Sequence, residues 1–232
     1  TDDGQVRVSR DGGRSWTRVT DAIPGLPADA WINGLEPSRH VAGRVYLVAN
    51  NYRNDDYANY VYRSDDFGQT WASVEGDLPA DRVVRVVRED LANHEALYLG
   101  TEFGAFVTID RGKSWTSLHS NLPTVAVHAF AQSDAAGEIV AATHGRSLWA
   151  CDVQPLRQLG SDEAKEPRLL DPADVIRWRR APRRGRTNRR FVGDNPPGAV
   201  RLWYHLAADV ESVKIRIENI EGEKIAELEG PK

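Results

Sequence analysis

Apolar residues fall along this chain in short runs separated by clusters of Gly, Pro, Asn, Asp and Ser. In order they read "QVRVS", "AWINGLEPS", "GRVYLVAN", "YVYRS", "RVVRVVRED", "EALYLGT", "AFVTI", "VAVHAFAQSD" and "EIVAATHG". Some alternate and some are continuously apolar, and most are rich in β-branched or aromatic side chains. Runs of that length and composition predict strands, half-buried or buried on both faces, and long helical patterns are few.

The runs are ordered by a phrase that recurs between them. "SRDGGRSW" (9–16), "SDDFGQTW" (64–71) and "TIDRGKSW" (108–115) align without gaps as Ser/Thr-x-Asp-x-Gly-x-Ser/Thr-Trp. A Leu-Pro pair follows each Trp, at 26–27, 78–79 and 122–123. A period of roughly 50 residues belongs to propellers and solenoids, whose units bury their faces against one another. Each unit is predicted to hold four antiparallel strands, A to D, with the phrase between C and D. Full units are expected at about 28–76 and 82–120. Residues 1–20 supply the last residue of B, then C and D, of an earlier unit, and 124–152 supply A, B and C of a later one. There "THGRSLWACD" replaces a fourth phrase, so no strand D is expected locally, and a closed ring would take that strand from an N-terminal part of the protein. The chain opens on Thr1 in mid-pattern and lacks Met, as an internal or processed piece of a longer protein would.

Each letter of the phrase has a folding role. Gly13, Gly68 and Gly112 can adopt the positive φ of a tight turn. Asp11, Asp66 and Asp110 can accept hydrogen bonds from the turn's own amides, alongside Ser9, Ser64 and Thr108. Trp16, Trp71 and Trp115 then enter strand D and can pack between units. The phrase is scaffolding on this reading, and its aspartates are not catalytic.

The phrase resembles the Asp-box, or BNR repeat, of sialidases, two-propeller xyloglucanases and sortilin-type receptor domains. The resemblance spans about residues 1–155 and is closest to bacterial sortilin-like or "glycosyl hydrolase" repeat proteins. It implies an all-β fold: a partial β-propeller of four-stranded blades, in a secreted or periplasmic bacterial protein. It also implies that function lies on the face opposite the Asp boxes, as in sialidases.

Antiparallel connectivity defines that opposite face independently, because B–C turns and C–D turns lie at opposite ends of a blade. The B–C turns are "TDDG" (1–4), "TEFG" (101–104), "THGR" (143–146) and the longer "NNYRNDDYANY" (50–60). They place Asp2, Asp3, Glu102, His144 and Arg146 on one rim, with Tyr52, Arg53, Asp55, Asp56 and Tyr57 on the long loop. Carboxylates, a His, an Arg and tyrosines on a concave rim suit a polysaccharide or a polypeptide. A glycoside hydrolase would need two carboxyls about 5 Å or about 6.5–9.5 Å apart, and Glu102 with Asp55 or Asp56 are the candidates. The arginine triad and Tyr–Glu pair of sialidases cannot be assigned, nor the Asp pair of xyloglucanases. An assembly factor with no small ligand is a third use of the same fold.

Charge and composition narrow the partners. The formal net charge is −4 with 28% charged residues, which argues against nucleic-acid binding by the whole chain. No apolar run reaches the roughly 18 residues of a membrane helix. The histidines show no metal-ligand spacing, "RNDDYANY" lacks the order of a calcium loop, and no cofactor motif is present, so neither metal nor cofactor is expected. Cys151 is the only cysteine. Residues 156–198 read as a linker and basic crossover, and 199–232 as the first strands of an immunoglobulin-like sandwich.

Overall fold

The computed structural model describes residues 1–118, 120–160, 163–175 and 199–230. The first run pairs weakly: β1 (Arg7–Val8) with β2 (Thr17–Arg18). A four-stranded antiparallel sheet follows, formed by β3 (Trp31–Pro37), β4 (Val45–Asn51), β5 (Asp56–Ser64) and β6 (Ala72–Ser73) in sequence order. The next repeats it with β7 (Val84–Glu89), β8 (Leu97–Thr101), β9 (Gly104–Thr108) and β10 (Thr116–Ser117). The last has three strands, β11 (Val127–Ser133), β12 (Glu138–Thr143) and β13 (Leu148–Asp152). These are blades of a partial β-propeller.

Cores form between successive sheets rather than within them. Leu47 and Ala49 face back onto Val6, Val19 and Ile23, while their neighbours Tyr46 and Val48 face forward onto Val84, Leu97 and Leu99. Tyr98 and Val107 repeat the forward contact onto Val127, Phe130 and Ile139. A strand covered on both faces has no polar side to show, hence the continuous "VYLVA" and "LYLGT" runs. Polar ties cross the same seams. The Tyr98 hydroxyl donates to buried Asp90 at 2.9 Å, and burial raises the Tyr46 phenol to about 12 beside Glu89.

The three phrases fold into one turn. In each, the first Ser/Thr hydroxyl donates to the Asp and accepts from the Gly N–H, and the later Ser/Thr donates to the Asp through both backbone and hydroxyl. All twelve bonds lie between 2.6 and 3.0 Å. The glycine φ values are 90°, 82° and 86°, a region that favours glycine. Donors converging on a carboxylate favour its charged form. Ser15 holds Asp11 down to about 2, and Thr70 does the same for Asp66. At Asp110 burial opposes the shift, and the Ser114 and Thr108 hydroxyls outweigh it.

Strand D is only two residues in each full sheet and starts just after the Trp, because it is the outer edge and carries little of the core. After β13 the chain does not return along the sheet. It enters a one-turn helix, α1 (Gln154–Arg157), where Arg157 pairs with Asp90 at 3.0 Å and Asp134 at 3.2 Å.

Contacts divide the chain into two units, Thr1–Asp162 and Glu163–Lys232. In the second, β14 (Arg168–Leu169) pairs with β15 (Tyr204–His205), and β16 (Val213–Glu218) forms a hairpin with β17 (Lys224–Gly230). Asn219 closes its turn by accepting from the N–H groups of Glu221 and Glu223. Most of the arginine-rich stretch expected as a basic crossover, 176–198, lies outside the described residues. No described helix is long and apolar enough to cross a membrane.

Candidate functional site

The β4–β5, β8–β9 and β12–β13 turns stand at the blade ends opposite the repeated phrases, with Thr1–Gly4 before β1. The long loop is shorter than its sequence suggests. β4 runs to Asn51 and β5 starts at Asp56, leaving a 3-10 turn at Tyr52–Asn54 closed by Asp55 at φ 59°. Asp56 is consumed by this closure. It accepts from Asn51 Nδ2 at 2.9 Å, the Tyr60 hydroxyl at 2.5 Å and the Ala58 N–H at 3.1 Å, and the Asn51 and Tyr60 bonds lower its carboxyl. Asp55 hydrogen-bonds the exposed Tyr57 phenol, which this raises. Asp3 caps its own turn by accepting from Gln5 N–H and Nε2.

Strands β3, β7 and β11 share a defect at one position. Each skips one residue in its register with the second strand, between Ile32 and Gly34, Val84 and Val86, and Val127 and Ala129. The extra residues are Asn33, Arg85 and His128. A bulge turns its residue out of the pleat's alternation and aims it elsewhere, a device frequent beside binding sites. All three bulges sit near the same rim, and β3, β7 and β11 are neighbours across successive sheets.

The bulge residues connect the turns into one strip. Arg53 lies over the Trp31 ring, 3.8 Å from its centroid, and 5.7 Å from the Tyr52 ring. Arg85 stands on the same Tyr52 at 5.0 Å and makes an ion pair with Glu102. His128 stacks on His144 at 5.1 Å and 9° between planes. Burial, then the nearby Arg85 charge, push the His128 imidazole down. Asn33 accepts from Asn50 and donates to the Val84 carbonyl at 3.1 Å, tying one blade to the next. Beside Trp31 the rim opens into a pocket of about 280 Å³ lined by Asp2, Asp29, Trp31, Asn50, Asn51, Arg53 and Asn54.

The sequence-predicted residues Tyr52, Arg53, Glu102 and His144 thus meet along this strip, and Asp2 lines the pocket. Asp3, Asp55 and Asp56 are engaged in their own turns, and Arg146 is exposed, its carbonyl accepting from the Trp149 indole at 2.8 Å. Sequence reasoning missed Trp31, Asn33, Arg85 and His128. The signal for the last three was one polar residue at the same place in "WING", "VVRV" and "AVHA". No cluster of three or more potential metal ligands occurs among the described residues.

No family model matches the chain, and no curated protein matches it significantly. Solved structures do. A GH74 xyloglucanase from Xanthomonas campestris superposes with a TM-score of 0.53 at 21% identity, over 66% of this chain and 26% of the enzyme. A GH74 enzyme from Niastella koreensis gives 0.50 at 15% identity, over the same shares. YCF48 bound to a D1 peptide gives 0.45 at 19% identity, over 66% of this chain and 45% of that one. The chain spans about a quarter of the length of the two enzymes. At these identities the two GH74 structures establish the β-propeller fold.

Proposed function

We propose that this chain is a recognition and scaffold segment of a secreted Asp-box propeller, holding a polysaccharide on the rim opposite the repeated phrases. The observation that carries this reading is the pocket beside Trp31. Carboxamides and carboxylates from three Asn and two Asp residues offer paired donors and acceptors for sugar hydroxyls. The Trp31 indole and the Arg53 guanidinium stacked on it stand beside these groups. The strip through Tyr52, Arg85 and Glu102 extends the contact across a second blade.

A glycoside hydrolase draws less support from the same rim. Asp56 is fully bonded within its loop and lowered, whereas a general acid needs a raised carboxyl. Glu102 is engaged by Arg85. Glu36 is raised by burial, but it pairs with Arg88 toward the far end of β3. In this proposal residues 1–155 form the propeller segment, 156–198 a linker and crossover, and 199–232 the start of an immunoglobulin-like sandwich.

Affinity electrophoresis of the chain through plant, bacterial and sialylated glycans tests the reading. Retardation by one glycan, lost in Trp31→Ala with the fold intact, supports it. Reducing-sugar release that collapses in Glu102→Gln would replace it with a hydrolase. Neither retardation nor release, with capture of a peptide on the rim instead, would make the ligand a polypeptide.

A further inference from the structure

The three bulges share a second regularity: each bulged residue has the same neighbour across its strand pair. Register sets Ile32 opposite Ala49, Val84 opposite Thr101 and Val127 opposite Thr143. The bulged Asn33, Arg85 and His128 therefore stand beside the residues one further on, Asn50, Glu102 and His144. All three pairs are in contact. Asn50 donates to Asn33, Arg85 makes an ion pair with Glu102, and His128 stacks on His144 with ring centroids 5.1 Å apart. One paired position per blade thus recurs with three chemistries: amide on amide, cation on anion, imidazole on imidazole.

The first two pairs are satisfied from within. The Asn33 carboxamide also donates to the Val84 carbonyl at 3.1 Å, and Glu102 neutralises Arg85. The third pair is not. Stacking uses the faces of its rings, both rings reach solvent, and among the described residues neither makes a hydrogen bond through a ring nitrogen. A neutral imidazole carries one N–H donor and gains a second on protonation. Rings only 9° from parallel share their edges, so one planar oxyanion seated at a common edge reaches a donor on each. The Arg85–Glu102 pair adjoins this site. A Cβ on Gly100 would stand 2.6 Å from the Val127 carbonyl oxygen, so β8 lies directly against β11 one residue before His128. The two turn residues are fastened alike, Glu102 N–H to the Arg82 carbonyl and His144 N–H to the Ala126 carbonyl.

We propose that the His128–His144 pair is an anion subsite of the rim, taking the carboxylate of a uronic acid in the bound polysaccharide. The sugar assignment rests on the glycan reading of the rim proposed above, whereas the carboxylate assignment rests on the pair itself. The charged groups that face His128 from the neighbouring blade are Arg85 and Glu102. Partial burial, then the Arg85 charge, hold its imidazole down, and Glu102 pulls the other way. A carboxylate bound beside the pair offsets the Arg85 charge and accepts from the imidazolium, so binding and protonation favour each other. Affinity for an acidic glycan is therefore expected to rise as pH falls through the imidazole range, while a neutral glycan keeps a flat profile. The pair selects among the glycans that the Trp31 pocket admits.

Imidazole proton resonances of the whole chain, followed through the imidazole pH range, read the site directly, with His128→Asn and His144→Asn assigning the two signals. Millimolar sodium glucuronate is expected to shift both signals and to raise the His128 midpoint by roughly half a pH unit. Glucose, or sodium chloride at the same ionic strength, is expected to leave both in place, and glucuronate to leave the other histidines in place. The double variant His128→Asn/His144→Asn rebuilds the amide pair of Asn33 and Asn50, and is expected to hold a polyuronate about tenfold more weakly at an unchanged melting temperature. Signals that ignore glucuronate, or that move no more than with glucose or than the other histidines do, overturn the proposal even where Trp31→Ala abolishes glycan retardation. A glucuronate response with no Trp31-dependent retardation by any glycan keeps the carboxylate site and removes the glycan reading. A response to N-acetylaspartate but not to glucuronate assigns the pair to an acidic peptide and overturns the uronate.

Discussion

The two ends of each blade are built on opposite rules. At the phrase end three turns use the same residue types, the same bonds and nearly the same glycine φ. At the rim end four turns differ in length and composition, and the side chains that meet there arrive by different routes: a 3-10 turn for Tyr52 and Arg53, a tight turn for Glu102, bulges for Arg85 and His128. Repetition here marks what holds the fold. Its absence marks where chemistry is free to differ from blade to blade.

The sharpest way to break that comparison is to test whether repetition alone predicts cost. Trp115→Ala empties a seam between two sheets and is expected to cost about 3–5 kcal/mol in urea unfolding. Trp16→Ala alters the same letter of the same phrase where the indole is 58% exposed, and a cost within about 0.5 kcal/mol is expected. Equal costs would mean that the turn, and not the seam, needs the indole. Next in size, Asp110→Ala strips the acceptor from four donors and should cost about 2–3 kcal/mol in the same measurement.

Acid should act on the phrase end through its aspartates. Asp11 and Asp66 stand at about 2 in the folded chain against an ordinary 3.8. Because the folded value is the lower one, their stabilisation is complete above the ordinary value and is lost as pH falls from there towards 2. The urea midpoint should therefore drop between about pH 4 and pH 2, and Asp66→Asn should flatten that drop. A midpoint unchanged across the window would mean that these carboxylates keep equivalent partners in the unfolded chain. The smallest effect on stability is expected at the rim. Arg85→Ala should cost under about 1 kcal/mol, its ion pair being partly solvated. It should nonetheless weaken glycan retardation about tenfold. A large loss of stability would move Arg85 to the scaffold side of the comparison.

The blade pattern was legible because both its signals are local. Turn chemistry shows in Gly68 and Asp66, and two-sided burial shows in unbroken runs such as "LYLGT". The extent of strand D was not legible, because nothing local says how far an edge strand pairs beyond Ala72 and Ser73. The rim was half legible. Tyr52, Arg53 and Glu102 could be placed there from connectivity, but their neighbours could not. Asn33, Arg85 and His128 reach the strip through a one-residue slip in pairing, and a slip is settled between strands rather than within one. "RVVRVVRED" reads equally well with or without it. Asp56 shows the converse. A carboxylate in a polar loop looks available until Asn51 and Tyr60 are seen to close on it.

The slip at positions 33, 85 and 128 also separates two kinds of inheritance. A residue inside the pleat is bound to alternate with its neighbours, so changing it disturbs a seam shared by two sheets. A residue that stands outside the count owes nothing to that alternation. Asparagine, arginine and histidine already occupy the same station in three consecutive blades without altering the strands around them. A propeller built this way can vary the side chain at that station one blade at a time and keep the pairing of the strands on either side. Of the three, Arg85 and His128 are the freer to change, since Asn33 also ties its blade to the next through the Val84 carbonyl.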